Sequence, residues 1–122
     1  MKINFFASPK KTPYSQSVRA GNLIFVSGQV GIDKEPGNSN DFYAQCKRCF
    51  EKLKSALETA GSDMPHVVKV TVFLKQAGDM SVMNEMFTEY FPISPPARST
   101  IVTELIAPEM LIEIDCFACT KD

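Results

Sequence analysis

The fold turns on Leu111-Ile112-Glu113-Ile114-Asp115-Cys116-Phe117-Ala118-Cys119. In an extended chain successive side chains leave by opposite faces. Ile112, Ile114, Cys116 and Ala118 therefore share one face, and Leu111, Glu113, Asp115, Phe117 and Cys119 share the other. The first set is small and apolar throughout, as suits a sheet face covered by helices. The second mixes two carboxylates with Leu and Phe, which suits neither open water nor a monomer's core. Where helices cover only one face of a sheet, such a second face is expected to meet another subunit. Glu113 and Asp115 would then line a partly buried, partly wet junction.

Outward from this strand, the chain reads as strands, helix, strand, helix, strands. Lys2 to Phe6 is expected to pair with the stretch around Tyr14 to Arg19, and Leu23 to Val30 is β-rich up to Gly31. Gly31 to Asn40, with Asp33, Pro36 and Gly37, reads as a loop. Asp41 to Ala60 is the longest helical pattern, closed by Gly61 as C-cap. Its solvated face is read as Gln45, Lys47, Arg48, Glu51, Lys52, Lys54 and Glu58. Val67 to Leu74 is a β-branched strand. Asp79 stands as N-cap of a second helix to about Phe91, with Met80, Met83 and Phe87 inward. Pro92, Pro95 and Pro96 stop that helix, and Ala97 to Glu104 is a further strand.

Residues 1-122 make one domain with a modest core, and 44% hydrophobic with 22% charged residues fits an ordinary soluble globular chain. A formal charge of −1 supplies no basic field for a nucleic acid or an anionic membrane. The stretch after Lys2 is too short for a secretory signal, so a cytoplasmic location is the expectation. Cys46/Cys49 and Cys116/Cys119 form two C-x-x-C pairs, too far apart for a zinc ribbon. The first pair falls on the apolar face of the helix. The second sits in a strand, where residues three apart point oppositely. All four are read as core thiols.

No dinucleotide, P-loop, nucleophile-elbow or zincin motif is present, and the lone His66 excludes a two-histidine metal site. His66 is read as structural or exposed. Three features remain as chemical candidates. Pro95-Pro96-Ala97-Arg98-Ser99 delivers a guanidinium at a strand entrance, the group suited to bidentate capture of a carboxylate or phosphate, or else a surface arginine. Glu113 between two isoleucines is a general acid or base, or an interface charge. Thr12-Pro13-Tyr14-Ser15-Gln16 puts a phenol beside a turn, or simply a packed tyrosine. On these residues alone the function stays open.

Taken together and in order, Pro13-Tyr14-Ser15-Gln16, Val26-Ser27-Gly28-Gln29, Asn84, Pro96-Ala97-Arg98-Ser99 and Ile112-Glu113-Ile114 resemble the YjgF/RidA family, also called endoribonuclease L-PSP. The resemblance spans nearly the whole chain. It implies a chorismate-mutase-like α+β fold, a mixed sheet of about six strands with two helices on one face. It also implies a homotrimer with a central barrel and sites between subunits. The implied activity is hydrolysis of enamines and imines such as 2-aminoacrylate or 2-iminobutanoate to 2-keto acids and ammonia, without cofactor or metal. Arg98 matches the carboxylate-binding arginine, Glu113 the glutamate holding the attacking water, and Tyr14 the tyrosine that closes the pocket across the interface. Gly28 matches a glycine whose backbone approaches the ligand, Asn84 a pocket asparagine, and Thr100 a position where many members have cysteine. Thr12, Lys10-Lys11 and Glu104 depart from the family pattern and bear on the pocket lid and rim. Two other classes compete: a non-catalytic metabolite binder or chaperone-like trimer, and an endoribonuclease. The latter would want a basic groove and an acid–base pair.

Overall fold

The computed structural model describes residues 1–122. Six strands, β1 (Ile3–Ala7), β2 (Ser15–Ala20), β3 (Leu23–Val30), β4 (Val67–Leu74), β5 (Ala97–Val102) and β6 (Ile112–Cys119), form one mixed sheet in the order β1-β2-β3-β6-β4-β5. Only β4 and β5 run parallel, joined by the crossover helix that parallel pairing demands. β6 inserts between β3 and β4, antiparallel to both. The strand with the two-faced pattern is therefore central, and its pattern governs both sides of the sheet.

Two helices, α1 (Phe42–Ala60) and α2 (Met80–Tyr90), cover one face. α1 lies on β2, β3 and β6 and against α2. Ile112, Ile114, Cys116 and Ala118 are buried beneath the helices with Ile24, Val26, Val70, Val72 and Leu74. Phe50 joins the layers, stacking on Tyr90 at 4.6 Å and meeting Phe87 and Phe91 edge-on. Cys46, Cys49 and Cys116 belong to this core, as their apolar positions imply; Cys119 is partly exposed. Burial drives the Cys46 and Cys116 thiols up to about 12, which keeps them protonated and unreactive at neutral pH.

The opposite face carries no helix. Cross-strand partners lie on the same side of a sheet, so Phe5, Val18, Phe25 and Phe117 form a row across four strands. Phe5, Phe25 and Phe117 remain 70, 40 and 46% exposed. Beside this row run Asp115, Thr71 and Ser99, then Glu113, Phe73 and Ile101.

Some local expectations need correction. Gln45 is fully buried rather than solvated. Its Nε2 donates to the carbonyls of Asn40 and Glu109, and its Oε1 accepts from the Leu111 amide. A polar side chain enters the core when every polar atom finds a partner, and the returning 109–111 segment supplies them. Met80, the first residue of α2 after the 3-10 turn at Ala77–Asp79, is 37% exposed rather than packed inward. Asp79 does precede α2, but it is itself helical and its side chain caps nothing. Asp41 caps α1 through the Ala44 amide, and Gly61 closes it at φ 93°, a left-handed conformation that glycine adopts without strain. β5 ends at Val102, two residues early.

Candidate active site

β2 and β3 stay paired only to Ser17–Val26. Beyond that point β3 is bulged against β6, with Ser27 and Gly28 facing Asp115 alone. The bulge turns Gly28 toward Glu113. A Cβ at Gly28 would collide with the Glu113 carboxylate, so the missing side chain is the niche that holds this carboxyl. The niche left by the missing Gly28 side chain is filled by Glu113 itself. Burial first, then the neighbouring Asp115 charge, hold the Glu113 carboxyl above its ordinary range. Asp115 is raised by burial as well, partly offset by its hydrogen bond with Thr71 and by Lys69.

Gly28 also lines a cleft of about 430 Å3 between the β1–β2 connection and the end of β3. Tyr14 lines the same cleft and is more than half exposed. Ser27 Oγ donates to the Ser15 carbonyl at 2.6 Å, joining β3 to β2, and Thr12 Oγ1 donates to the Tyr14 carbonyl at 2.8 Å within the β1–β2 connection. Tyr14, Gly28 and Glu113 thus belong to one end of the molecule.

Arg98 lies elsewhere. It pairs with Val70, which pairs with Cys116, so its side chain leaves on the helix side while Glu113 leaves on the open side. Its guanidinium lies over the Phe87 ring at 4.9 Å, and Nη1 donates to Met83 Sδ at 3.7 Å. Thr100, two residues along β5 and partly buried, shares that face. Asn84, next to Met83 on α2, keeps its side chain exposed. The predicted residues therefore fall into two groups, Tyr14 with Gly28 and Glu113, and Arg98 with Thr100 and Asn84. A single chain does not bring the groups together.

Two features escaped the sequence reading. Met83 and Phe87 were assigned to the core, yet they also form the shelf under Arg98; only the β4–β5 register could reveal it. Lys10 and Lys52 share the cleft with Tyr14 although 42 positions separate them. No three His, Cys, Asp or Glu side chains lie close enough to hold a metal ion, and no helix is long and apolar enough to cross a membrane.

Fold and geometry together define a class: a small α+β protein, helix-covered on one side, whose open sheet face carries a half-buried carboxylate beside a polar cleft. Comparison with known proteins narrows it. The sequence profile of the endoribonuclease L-PSP family matches residues 6–120, and the chain belongs to that family, also called YjgF/RidA. A RutC family protein of Pyrococcus abyssi is 44% identical over 108 residues, covering 87% of this chain and 85% of the relative. The chloroplastic Reactive Intermediate Deaminase A of Arabidopsis thaliana is 36% identical over 108 residues, 87% of this chain and 58% of that protein. The crystal structure of a YjgF family member from Neisseria meningitidis superposes with a TM-score of 0.87 at 31% identity, covering 100% of this chain and 98% of that one.

Proposed function

We propose that this chain is a hydrolytic deaminase of reactive 2-imino acids, active as a homotrimer whose sites lie between subunits. In this reading Arg98, Thr100 and Asn84 of one protomer face Tyr14, Gly28 and Glu113 of its neighbour. The observation that carries it is the placement of a half-buried carboxyl and a seated guanidinium on opposite faces of one sheet. Neither group alone can both hold and hydrolyse an acid substrate. The exposed row Phe5, Phe25 and Phe117 supports an assembly that covers the open face, and the name of the Arabidopsis relative supports the reaction class.

The chemistry asks for little machinery, since a C=N carbon is already electrophilic and positioning supplies much of the rate. Arg98 takes the substrate carboxylate in its fork, with the Thr100 amide and the Asn84 side chain beside it. Glu113 accepts a proton from a water as its oxygen bonds to the imine carbon, the C=N electron pair moves to nitrogen, and Glu113 hands that proton to the nitrogen. Ionised again, Glu113 takes the hydroxyl proton of the resulting carbinolamine and passes it to the amino nitrogen, so that the C–N bond breaks and ammonia leaves as the C=O forms. Imine and water have become 2-keto acid and ammonia, and Glu113 ends unchanged.

Coupling the purified protein to a threonine dehydratase and following 2-keto-acid formation tests this. Arg98→Ala and Glu113→Gln are each expected to lose about 100-fold or more in kcat/KM. Normal activity in Arg98→Ala would sink the site assignment, and an inactive wild type would favour a non-catalytic binder. RNA degradation that survives Arg98→Ala would point to contamination rather than to a ribonuclease.

A further inference from the structure

The cleft beside Tyr14 carries only positive charge in its lining. Lys10, from the β1–β2 connection, and Lys52, from α1, both line it, and no Asp or Glu does, in a chain whose net charge is −1. Lys52 Nζ donates to the Val30 carbonyl at 2.7 Å. That bond fixes the ammonium at the wall and leaves two of its three donors free. The hydroxyls of Ser8 and Tyr14 add donors to the lining, while that of Thr12 is spent on the Tyr14 carbonyl. Gly28 lines the cleft and also packs against the Glu113 carboxyl, which places the two next to each other. Two ammonium groups with hydroxyls and no competing acid make a receptor for a small anion.

We propose that Lys10 and Lys52 form a second anion subsite, so that the preferred substrates are 2-imino acids whose side chain itself ends in a carboxylate. The inference rests on the deaminase reading, in which Arg98 already takes the carboxylate next to the imine. A second acid group on the substrate then extends from the reacting carbon over Gly28 into the cleft, and the ammonium groups receive it. Plain alkyl side chains leave the lysines without a counter-charge.

The test compares two imines generated in situ, 2-iminosuccinate from aspartate and 2-iminopropanoate from alanine, with wild type, Lys10→Gln and Lys10→Gln/Lys52→Gln. Calorimetric titration with succinate and with butanoate accompanies it as a readout independent of turnover. The wild type should favour iminosuccinate by about tenfold or more in kcat/KM, bind succinate more tightly than butanoate, and lose both preferences in the double variant. Lys10→Gln, whose wild-type side chain anchors nothing in the fold, should lose part of each and guards against a folding defect from Lys52→Gln. Hydrolysis of both imines with no lysine-dependent preference overturns the subsite and leaves the deaminase standing. Lysine-dependent succinate binding with neither imine hydrolysed supports the subsite and overturns the deaminase reading.

Discussion

Glu113 is held where a carboxylate is least comfortable, half-buried, beside Asp115, in a niche that only a glycine leaves open. Its carboxyl therefore releases its proton at higher pH than an ordinary glutamate. As the base of the proposed reaction it must be ionised, so kcat/KM should fall toward acid through an inflection above the usual carboxylate range. Removing the second cause of the shift, in Asp115→Asn, should move that inflection down; an unmoved inflection would separate it from Glu113. The same shift bears on stability with the opposite sense. A carboxyl raised in the fold favours the protonated state, so its stabilising contribution is complete below the unfolded pKa and lost as pH rises through the folded one. Glu113→Gln, which cannot ionise, should thus melt no lower than wild type at neutral pH while losing activity. Arg98 is positioned differently, by the Phe87 face and the Met83 sulfur. A guanidinium over an aromatic ring gains about 0.5–2 kcal/mol. Phe87→Leu should raise KM by about tenfold while moving kcat less, and Arg98→Lys, lacking the planar fork, should not restore wild-type KM.

Two glycines in the same stretch of chain predict different failures. A Cβ at Gly31 would strike the Gln45 backbone within α1, which cannot yield, so Gly31→Ala should unfold in urea at clearly lower concentration than wild type. A Cβ at Gly28 meets the end of a flexible side chain, so Gly28→Ala should fold but displace Glu113 and lose activity. Gln45 ties α1 to the entry of β6 through two hydrogen bonds and to the residue before its own N-cap through a third. Gln45→Leu would orphan the Leu111 amide and two carbonyls, at a cost of about 2–4 kcal/mol by denaturant unfolding. That residue also marks what a one-dimensional pattern can say. The helix, its Gly61 stop and the alternation in β6 were legible because each depends on neighbours in sequence. Gln45 was misread because its partner is the backbone of residues 109–111. Met80 was misplaced because it is the first residue of α2, where the helical period does not say whether anything packs over it. Each was decided by tertiary geometry.

In the molecule as a whole, the two site groups face away from each other, and a second copy is what can join them. Resemblance named Arg98, Glu113, Tyr14, Gly28, Asn84 and Thr100 as a set; that they fall into two groups on one chain was hidden, because it follows from β6 inserting between β3 and β4 and leaving β5 at the edge. The exposed phenylalanine row should be covered in the assembly, so Phe117→Asp is expected to shift light scattering from trimer toward monomer and remove activity with it. Subunit mixing tests the shared site most directly. Arg98→Ala and Glu113→Gln are each inactive alone, and are unfolded together and refolded in equal amounts. In a cyclic trimer whose sites take Arg98 from one protomer and Glu113 from the next, random assembly restores about one quarter of the sites. The mixture should therefore recover about a quarter of wild-type deaminase activity, whereas a mixture as inactive as its parents would contradict a site shared between subunits.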